Sequence, residues 1–286
     1  MNLENIKLTS RISNAVPINT QLLISYYNGQ LMSMDINSGE LNNIYDFKCN
    51  IRQISIYGDK AALITADAIF LMKNNKIEKL DSIECKGKLN TVYLSKILAV
   101  GDEKGYIYIY DNNKFVDIEV TDCPINQITI LSNKIWCVSD QGNLYHFKYK
   151  NGVSETASLI KLGKISTTKL SRSLCCIITT EVGLYSGNYN GVLYKIKDKK
   201  VSKLKIGEEE ITELLYHDEL YCICGGIVYK ITDNNKKYEC SSESLLAMGL
   251  FVYNNEVYYF TDKRFYKTKV IEKKEFFDDL LNDSSD

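Results

Sequence analysis

The amino-acid sequence predicts an all-β fold made of seven copies of one structural unit. Three observations predict it: a short pattern recurs seven times, turn signals separate apolar runs, and the chain has only two prolines and no long helical period. In each copy, a glycine or its replacement precedes a strand of alternating apolar and polar residues. The copies are 29–35, 67–73, 105–111, 142–148, 191–197, 226–232 and 263–269, so most starts lie 35 to 38 residues apart.

Each copy contains a β-hairpin and two further strands. Turn pairs such as Asn28-Gly29 and Gln141-Gly142 join two apolar runs, and such pairs supply the positive φ angles of tight hairpin turns. A third apolar run lies upstream, as in 125–130, and a charged run lies downstream, as in 200–206. Four short antiparallel strands in about 40 residues are typical of a propeller blade. The sequence therefore predicts a seven-bladed β-propeller.

The two ends of the chain indicate how the ring closes. The last copy has runs at 245–252, 256–261 and 264–270, which leaves it one strand short. Residues 4–9 are an unassigned strand candidate, and pairing them there would close the ring and remove both free edges. We therefore expect a propeller over 1–270, followed by an acidic tail over 271–286. One interval of 49 residues places an insertion within 149–172, which we expect to be a surface loop.

The repeated strand resembles the WD repeat (WD40). The resemblance is clearest in Gly105 to Asp111 and Gly29 to Asp35, where a glycine and an alternating strand lead to an aspartate. Tyr110 and Met34 stand where that family has tryptophan, and the family's Gly-His pair is absent. We expect serine, threonine and tyrosine to replace the histidine hydrogen-bond network. The resemblance covers residues 1 to about 270 and implies a seven-bladed scaffold that holds proteins together.

The tail departs from the repeat. Phe276 and Phe277 stack with Leu280 and Leu281 at helical spacing, which gives an acidic peptide one apolar face. Such a segment binds a partner's groove, docks back on its own propeller, or only solubilises the terminus. The small size, the plain blades and Phe276-Phe277-Asp-Asp-Leu280 resemble the ribosome-biogenesis family of WD repeat-containing protein fifty-five. This resemblance implies a nuclear or nucleolar protein that acts in large-subunit rRNA maturation through contacts with pre-ribosomal particles.

Two alternatives remain open. The first is a WD-repeat subunit of another assembly: translation initiation, checkpoint or mRNA export, or a ubiquitin-ligase substrate receptor. The second is a propeller face that reads RNA or a modified peptide directly. A basic stretch is the candidate phosphate-contacting patch, set against the alternative of a solvated outer strand pair, and it contains Lys195, Lys197, Lys199, Lys200, Lys203 and Lys205.

Several function classes are disfavoured. A net charge of −1 gives no general attraction to nucleic acid or anionic lipid. His146 and His217 lie in or beside strands without a catalytic motif, so we expect structural histidines and no enzyme, cofactor or small-molecule substrate. The nine cysteines include no Cys-x-x-Cys pair, which predicts reduced core residues and no metal site. With no signal sequence or membrane span apparent, we expect a soluble intracellular protein, in the nucleus or nucleolus, with the cytoplasm as the alternative.

Overall fold

The computed structural model describes residues 3–6, 8–80, 83–111, 114–131, 133–151, 160–162, 166–198, 200–241 and 245–271. Over these residues the chain is all-β apart from one 3-10 helix (Leu3–Asn5). Blade 1 contains β1 (Ile12–Ile18), β2 (Gln21–Tyr26), β3 (Gln30–Asp35) and β4 (Leu41–Asp46). Blade 2 contains β5 (Gln53–Tyr57), β6 (Lys60–Ile64), β7 (Ile69–Lys73) and β8 (Lys76–Lys79). Blade 3 contains β9 (Leu89–Leu94), β10 (Leu98–Asp102), β11 (Tyr106–Asp111) and β12 (Lys114–Glu119).

The remaining blades follow the same antiparallel order. Blade 4 contains β13 (Ile125–Leu131), β14 (Lys134–Ser139), β15 (Asn143–Asn151) and β17 (Ser166–Lys169), and the short β16 (Ile160–Leu162) pairs with the far end of β15. Blade 5 contains β18 (Cys176–Thr180), β19 (Gly183–Gly187), β20 (Val192–Lys197) and β21 (Lys200–Lys205). Blade 6 contains β22 (Ile211–His217), β23 (Glu219–Cys224), β24 (Ile227–Ile231) and β25 (Lys237–Glu239). Blade 7 contains β26 (Gly249–Tyr253), β27 (Glu256–Phe260) and β28 (Phe265–Lys267).

The seven sheets form a closed ring. The innermost strands β1, β5, β9, β13, β18, β22 and β26 contact one another in that order, and β26 contacts β1. The Ile12 amide of blade 1 donates a hydrogen bond to the Asp262 carbonyl of blade 7 at 2.8 Å. The seven-bladed propeller predicted from the repeat is therefore confirmed.

The N-terminal segment lies against blade 7 but does not form the expected strand. The helix Leu3–Asn5 packs on β28, and the Leu8 amide donates to the Lys263 carbonyl at 3.0 Å. Leu3 and Leu8 are both buried in the cluster between blades 7 and 1. Positions five apart in a strand point to opposite faces, so the chain must turn between these two leucines. The expected location of the closing segment is right, and its expected strand conformation is wrong.

The core is divided among the blade interfaces. Seven clusters of buried apolar side chains each lie between two neighbouring sheets. Because both faces of a blade are covered, central strands such as β2 are almost continuously apolar and buried. Outer strands such as β21 are mostly exposed and rich in lysine. Exposed lysines on these edges oppose pairing with other sheets.

A buried tyrosine–acid pair closes the hairpin between β10 and β11 in blade 3. The buried Asp102 carboxylate accepts from the amides of Lys104 and Tyr106, at 2.9 and 2.8 Å, and from the Tyr108 hydroxyl at 2.8 Å. That hydroxyl also accepts from the Lys86 amide at 2.6 Å. Burial raises the pKa of Tyr108, so the phenol stays protonated and donates to Asp102. Asn188 closes the equivalent hairpin of blade 5, and its amide lies 3.4 Å from the Tyr194 hydroxyl.

Replacing Tyr108 with phenylalanine should destabilise the ring by about 2 kcal/mol, because the Lys86 amide and one Asp102 oxygen lose their partner inside the protein. The control is Tyr106→Phe, which removes a hydrogen bond from the adjacent and more exposed Tyr106 to Glu119. That change should cost less than about 0.5 kcal/mol. Urea unfolding measures both, and equal losses would contradict a structural role for the buried pair.

Substitutions at Gly105 and Gly58 allow the cost of backbone strain to be measured apart from the cost of close packing. Both have positive φ, +86° and +61°, but a Cβ on Gly105 would overlap the Thr121 backbone oxygen, whereas one on Gly58 meets nothing within 4 Å. Gly58→Ala should therefore cost about 1 kcal/mol from φ strain alone, and Gly105→Ala about 3 kcal/mol. Midpoints of thermal or urea unfolding test this order. A Gly58 variant as damaged as the Gly105 variant would show that φ strain dominates.

Candidate functional site

The channel through the ring opens on the end where the innermost strands begin. Its mouth is a cavity of about 320 Å³ with a strongly polar lining that includes Asn14, Arg52, Asn90, Asn126 and Glu213. Each of these residues lies one or two positions after a buried apolar residue at or near the start of an innermost strand. The sequence pattern showed the strand but not the role of the polar residue within it.

Side chains at the mouth connect each blade to the next. Four of them donate to a backbone carbonyl at or just before the start of the following innermost strand: Asn14 to Ile51 at 2.9 Å, Arg52 to Leu89 at 2.7 Å, Asn90 to Ile125 at 3.0 Å and Asn126 to Leu174 at 2.6 Å. These donors are engaged in holding neighbouring blades together. The mouth is therefore largely a structural ring of hydrogen bonds.

A second set of bonds runs deeper in the channel. Gln53 and Gln127 accept from the amides of the next innermost strand, at Val92 and Ile177, at 2.7 and 2.6 Å. Glu213 does the same for Leu250 at 3.1 Å. Burial raises the pKa of Glu213 to about 8, and the Leu250 amide only partly opposes that shift. Glu213 is therefore a protonated acid at neutral pH in a position that two other blades fill with glutamine.

A larger groove lies between blades 4 and 5 at the opposite end of the ring. This blade 4–5 groove has a volume of about 670 Å³, and its lining includes Leu131, Trp136, Val182 and Val201. It opens beside the turn between β18 and β19 and the turn between β20 and β21. The cluster at this interface contains fewer fully buried residues than its six neighbours, and Trp136 is only partly buried in it.

Trp136 and His146 form the polar centre of the groove. They are cross-strand partners on β14 and β15, and their rings stack at a centroid distance of 4.3 Å and an angle of 19°. The Lys134 ammonium lies 5.7 Å from the Trp136 ring centroid. Burial, with a smaller contribution from Lys134, lowers the pKa of His146, so its imidazole is largely neutral at pH 7.

Both aromatic side chains of this pair carry a nitrogen without a partner. Trp136 Nε1 and His146 Nδ1 are buried and make no hydrogen bond within the described part of the chain. A buried polar atom that has lost water and gained no partner costs about 1–3 kcal/mol. Trp136 is the only tryptophan of the chain. Its place in the repeat gave no sign of this groove, because the groove depends on residues of the next blade.

The lysines of the proposed phosphate-contacting patch divide between two faces of blade 5. The register pairs Lys197 with Lys200 and Tyr194 with Lys203, so Lys195, Lys197 and Lys200 share one face and Lys203 and Lys205 the other. Lys195 lies over the Tyr185 ring at 5.4 Å, Lys203 over Tyr194 at 5.5 Å, and Lys205 pairs with Glu208 at 2.9 Å. Lys199 lies outside the described residues, as do Phe276, Phe277, Leu280 and Leu281.

Other candidate chemistry is sparse in the part of the chain that the structure describes. His217 Nε2 lies 3.9 Å from Asp218. Within the described ranges, no group of three His, Cys, Asp or Glu residues is arranged to hold a metal ion, and no helix there is long and apolar enough to cross a membrane.

All nine cysteines are free thiols, and six are buried as expected for core residues. Cys49 is exposed, contrary to that expectation, because it lies in the connection between β4 and β5.

Glu213 makes stability depend on pH in a defined direction. Its pKa of about 8 in the folded protein exceeds the ordinary value of 4.5, so its contribution is complete below pH 4.5 and is lost as pH rises through 8. Glu213→Gln should keep the bond to Leu250 and remove this dependence, so the variant should become more stable than wild type as pH rises from 5 to 9.

Urea unfolding across that pH range measures the effect. The converse variant Gln127→Glu should introduce a similar loss of stability at high pH, because the new carboxyl would occupy the equivalent position. Parallel stability profiles for wild type and Glu213→Gln would show that the carboxyl is ionised in the folded protein.

Comparisons with known proteins agree with this geometry at the level of the fold. No family model matches the sequence, and no curated protein matches it either. The chain is similar to the WD40 β-propeller domain of Doa1, with a TM-score of 0.75 and 8% identity over 95% of this chain and 97% of that one. It is also similar to the computationally designed protein Ika8, with a TM-score of 0.67 and 12% identity over 94% and 100% of the two chains. At these identities the likeness establishes the fold alone: the chain is a seven-bladed β-propeller, and its fold is similar to that of a WD40 domain.

Proposed function

We propose that this propeller is a non-enzymatic scaffold that binds proteins, and that the blade 4–5 groove takes a short, apolar segment of a partner. The observation that carries the proposal is the stacked pair of Trp136 and His146, with two buried nitrogens that have no partner among the described residues. A propeller supplies a broad surface and no chemistry of its own, so its function depends on such sites.

The chemistry of the groove favours a peptide. Trp136 Nε1–H is a donor only, and a backbone carbonyl of a bound segment would satisfy it. Neutral His146 has one donor and one acceptor nitrogen, so its Nδ1 suits either an amide or a carbonyl. Tryptophan is enriched among the residues that dominate binding energy when a partner covers them. Exposed Leu131 and Val201 provide apolar contact at the rim.

The groove is a better candidate than the channel mouth. The mouth has about half the volume, and the side chains Asn14, Arg52, Asn90 and Asn126 already donate to backbone carbonyls there. A ligand at the mouth would have to compete with bonds between blades. A segment in the groove would instead pack on Leu131, Trp136 and Val201 without competing with bonds between blades.

The partner class follows from the sequence resemblance. The Phe-Phe-Asp-Asp-Leu tail and the small, plain propeller support a role in ribosome biogenesis, with pre-ribosomal proteins as partners in the nucleus or nucleolus. Subunits of translation-initiation, mRNA-export, checkpoint or ubiquitin-ligase assemblies are the alternatives. Direct reading of RNA by the lysines of blade 5 is less well supported, because they lie on two faces and two of them cover tyrosine rings.

Affinity purification of the tagged protein from its own cells tests the proposal. Leu131→Asp/Val201→Asp places charge on two exposed residues at the groove. The matched control is Leu41→Asp/Tyr45→Asp, which changes two similarly exposed residues on β4 of blade 1. We expect the groove variant to lose its principal partner by about tenfold or more, and the control to retain it.

The identity of the lost partner decides the finer function. Pre-ribosomal proteins and precursor rRNA that disappear together support ribosome biogenesis, whereas a different stable complex contradicts it. Partners retained by the groove variant and lost by the control would place the binding surface on blade 1 and overturn the proposed site. RNA that binds the purified protein directly would favour the reader function.

A further inference from the structure

We infer that the blade 4–5 groove is filled, in the free protein, by the chain's own C-terminal tail, residues 272–286. This inference rests on the proposed function in that it uses the same groove. It adds that the tail competes in cis with the partner. Three features carry it: the path of the last described residues, the length of the tail, and a match between the tail's sequence and the surface of blade 5.

The last described residues already lead toward the groove. After β28 the chain crosses from blade 7 to the outer edge of blade 6, where the amides of Lys269 and Ile271 donate to the carbonyls of Cys240 and Glu239, at 3.4 and 2.8 Å. Because the partner numbers fall as the chain advances, it runs antiparallel to β25. It therefore heads for the end of the ring at which β25 begins, which is the end where the groove opens.

The tail is long enough to reach the groove. Ten residues separate Ile271 from Leu281, and an extended chain covers about 33–36 Å in that length. The groove lies beyond one intervening blade, and packed sheets are about 10 Å apart. The tail must therefore pass over the outer edge of blade 5, which is β21.

The surface of blade 5 matches the order of residue types in the tail. On its blade 6 side lies a notch of about 20 Å³ lined by Tyr185, Lys195 and Tyr216, which is too small for a phenylalanine ring. Next comes β21, which carries Lys200, Lys203 and Lys205 and no acidic residue. On the far side lies the blade 4–5 groove. From blade 6 onward, the surface is thus basic along β21 and then apolar in the groove.

The tail presents the complementary series. Phe276 and Phe277 come first, Asp278 and Asp279 follow, and Leu280 and Leu281 come last. Three residues separate Phe277 from Leu280, an extended length of about 10 Å, which equals one sheet spacing. The aspartates therefore lie on the lysines of β21 and the leucines enter the groove beside Trp136, while the phenylalanines stay on the blade 6 side.

Trp136 makes this arrangement measurable in the full-length protein. As the only tryptophan, it reports on the groove through its emission and its quenching by acrylamide. A tethered segment has an effective concentration near 1 mM, so Leu280→Asp/Leu281→Asp should release the tail and raise the quenching constant about twofold. The control Ser284→Ala/Ser285→Ala should leave it unchanged. A free peptide of residues 272–286, added to the leucine variant, should restore protection in a saturable way.

Defined outcomes would overturn the inference. Equal quenching in wild type and the leucine variant shows that the tail does not cover Trp136. Protection that disappears on dilution, together with a dimer by light scattering, shows that the tail of a second copy fills the groove. The proposed function is judged separately: partner loss in Leu131→Asp/Val201→Asp without an effect of the tail on Trp136 leaves the scaffold site and removes the competition. If the tail protects Trp136 and Leu131→Asp/Val201→Asp retains all partners, the tail binds the groove and the proposed partner site is wrong.

Discussion

Each sheet in this ring has two apolar faces, and only its neighbours can cover them. That constraint explains the seven separate core clusters and the almost continuous burial of the central strands. It also makes the junction between blades 7 and 1 decisive, since an open ring would expose two of these faces to water. Backbone bonds from Leu8 and Ile12, and Arg11 placed over the Tyr27 ring and beside Asp262, hold that junction. The hydrogen bonds at the channel mouth also join neighbouring blades, on the inner side of the ring.

Features encoded locally were predictable from sequence, and those that depend on distant partners were not. A glycine turn and an alternating strand such as 105–111 are set by neighbouring residues, so the repeat indicated the blade and the number of blades. The hydrogen bond from Arg52 to the Leu89 carbonyl joins residues 37 apart, and neither local sequence contains a signal that predicts it. The turn between Leu3 and Leu8 likewise follows from a shared burial site on the ring. Trp136 lies in an ordinary strand, and its groove is created by what blade 5 leaves uncovered.

The two ends of the ring differ in how their polar groups are satisfied. At the mouth, amide and guanidinium groups bond to the next blade, so the polar lining is an internal part of the fold. In the groove, Trp136 and His146 stack on each other, and one nitrogen of each has no hydrogen-bond partner in the part of the chain that the structure describes. A polar lining alone is therefore a poor guide to a binding surface in a propeller. The number of partners that each buried polar atom has already found is a better one.

The cysteines differ in how accessible their thiols are to a labelling reagent, and Cys49 is the most exposed of them. Burial raises the pKa of Cys137, Cys176 and Cys222, which keeps these thiols unreactive toward alkylating reagents. Cys49 is the exposed thiol, and it lies at the end of the ring where the innermost strands begin. A maleimide dye or a surface tether would therefore attach there first. It would immobilise the ring by the face with the channel mouth, and leave the face with Trp136 open to solution.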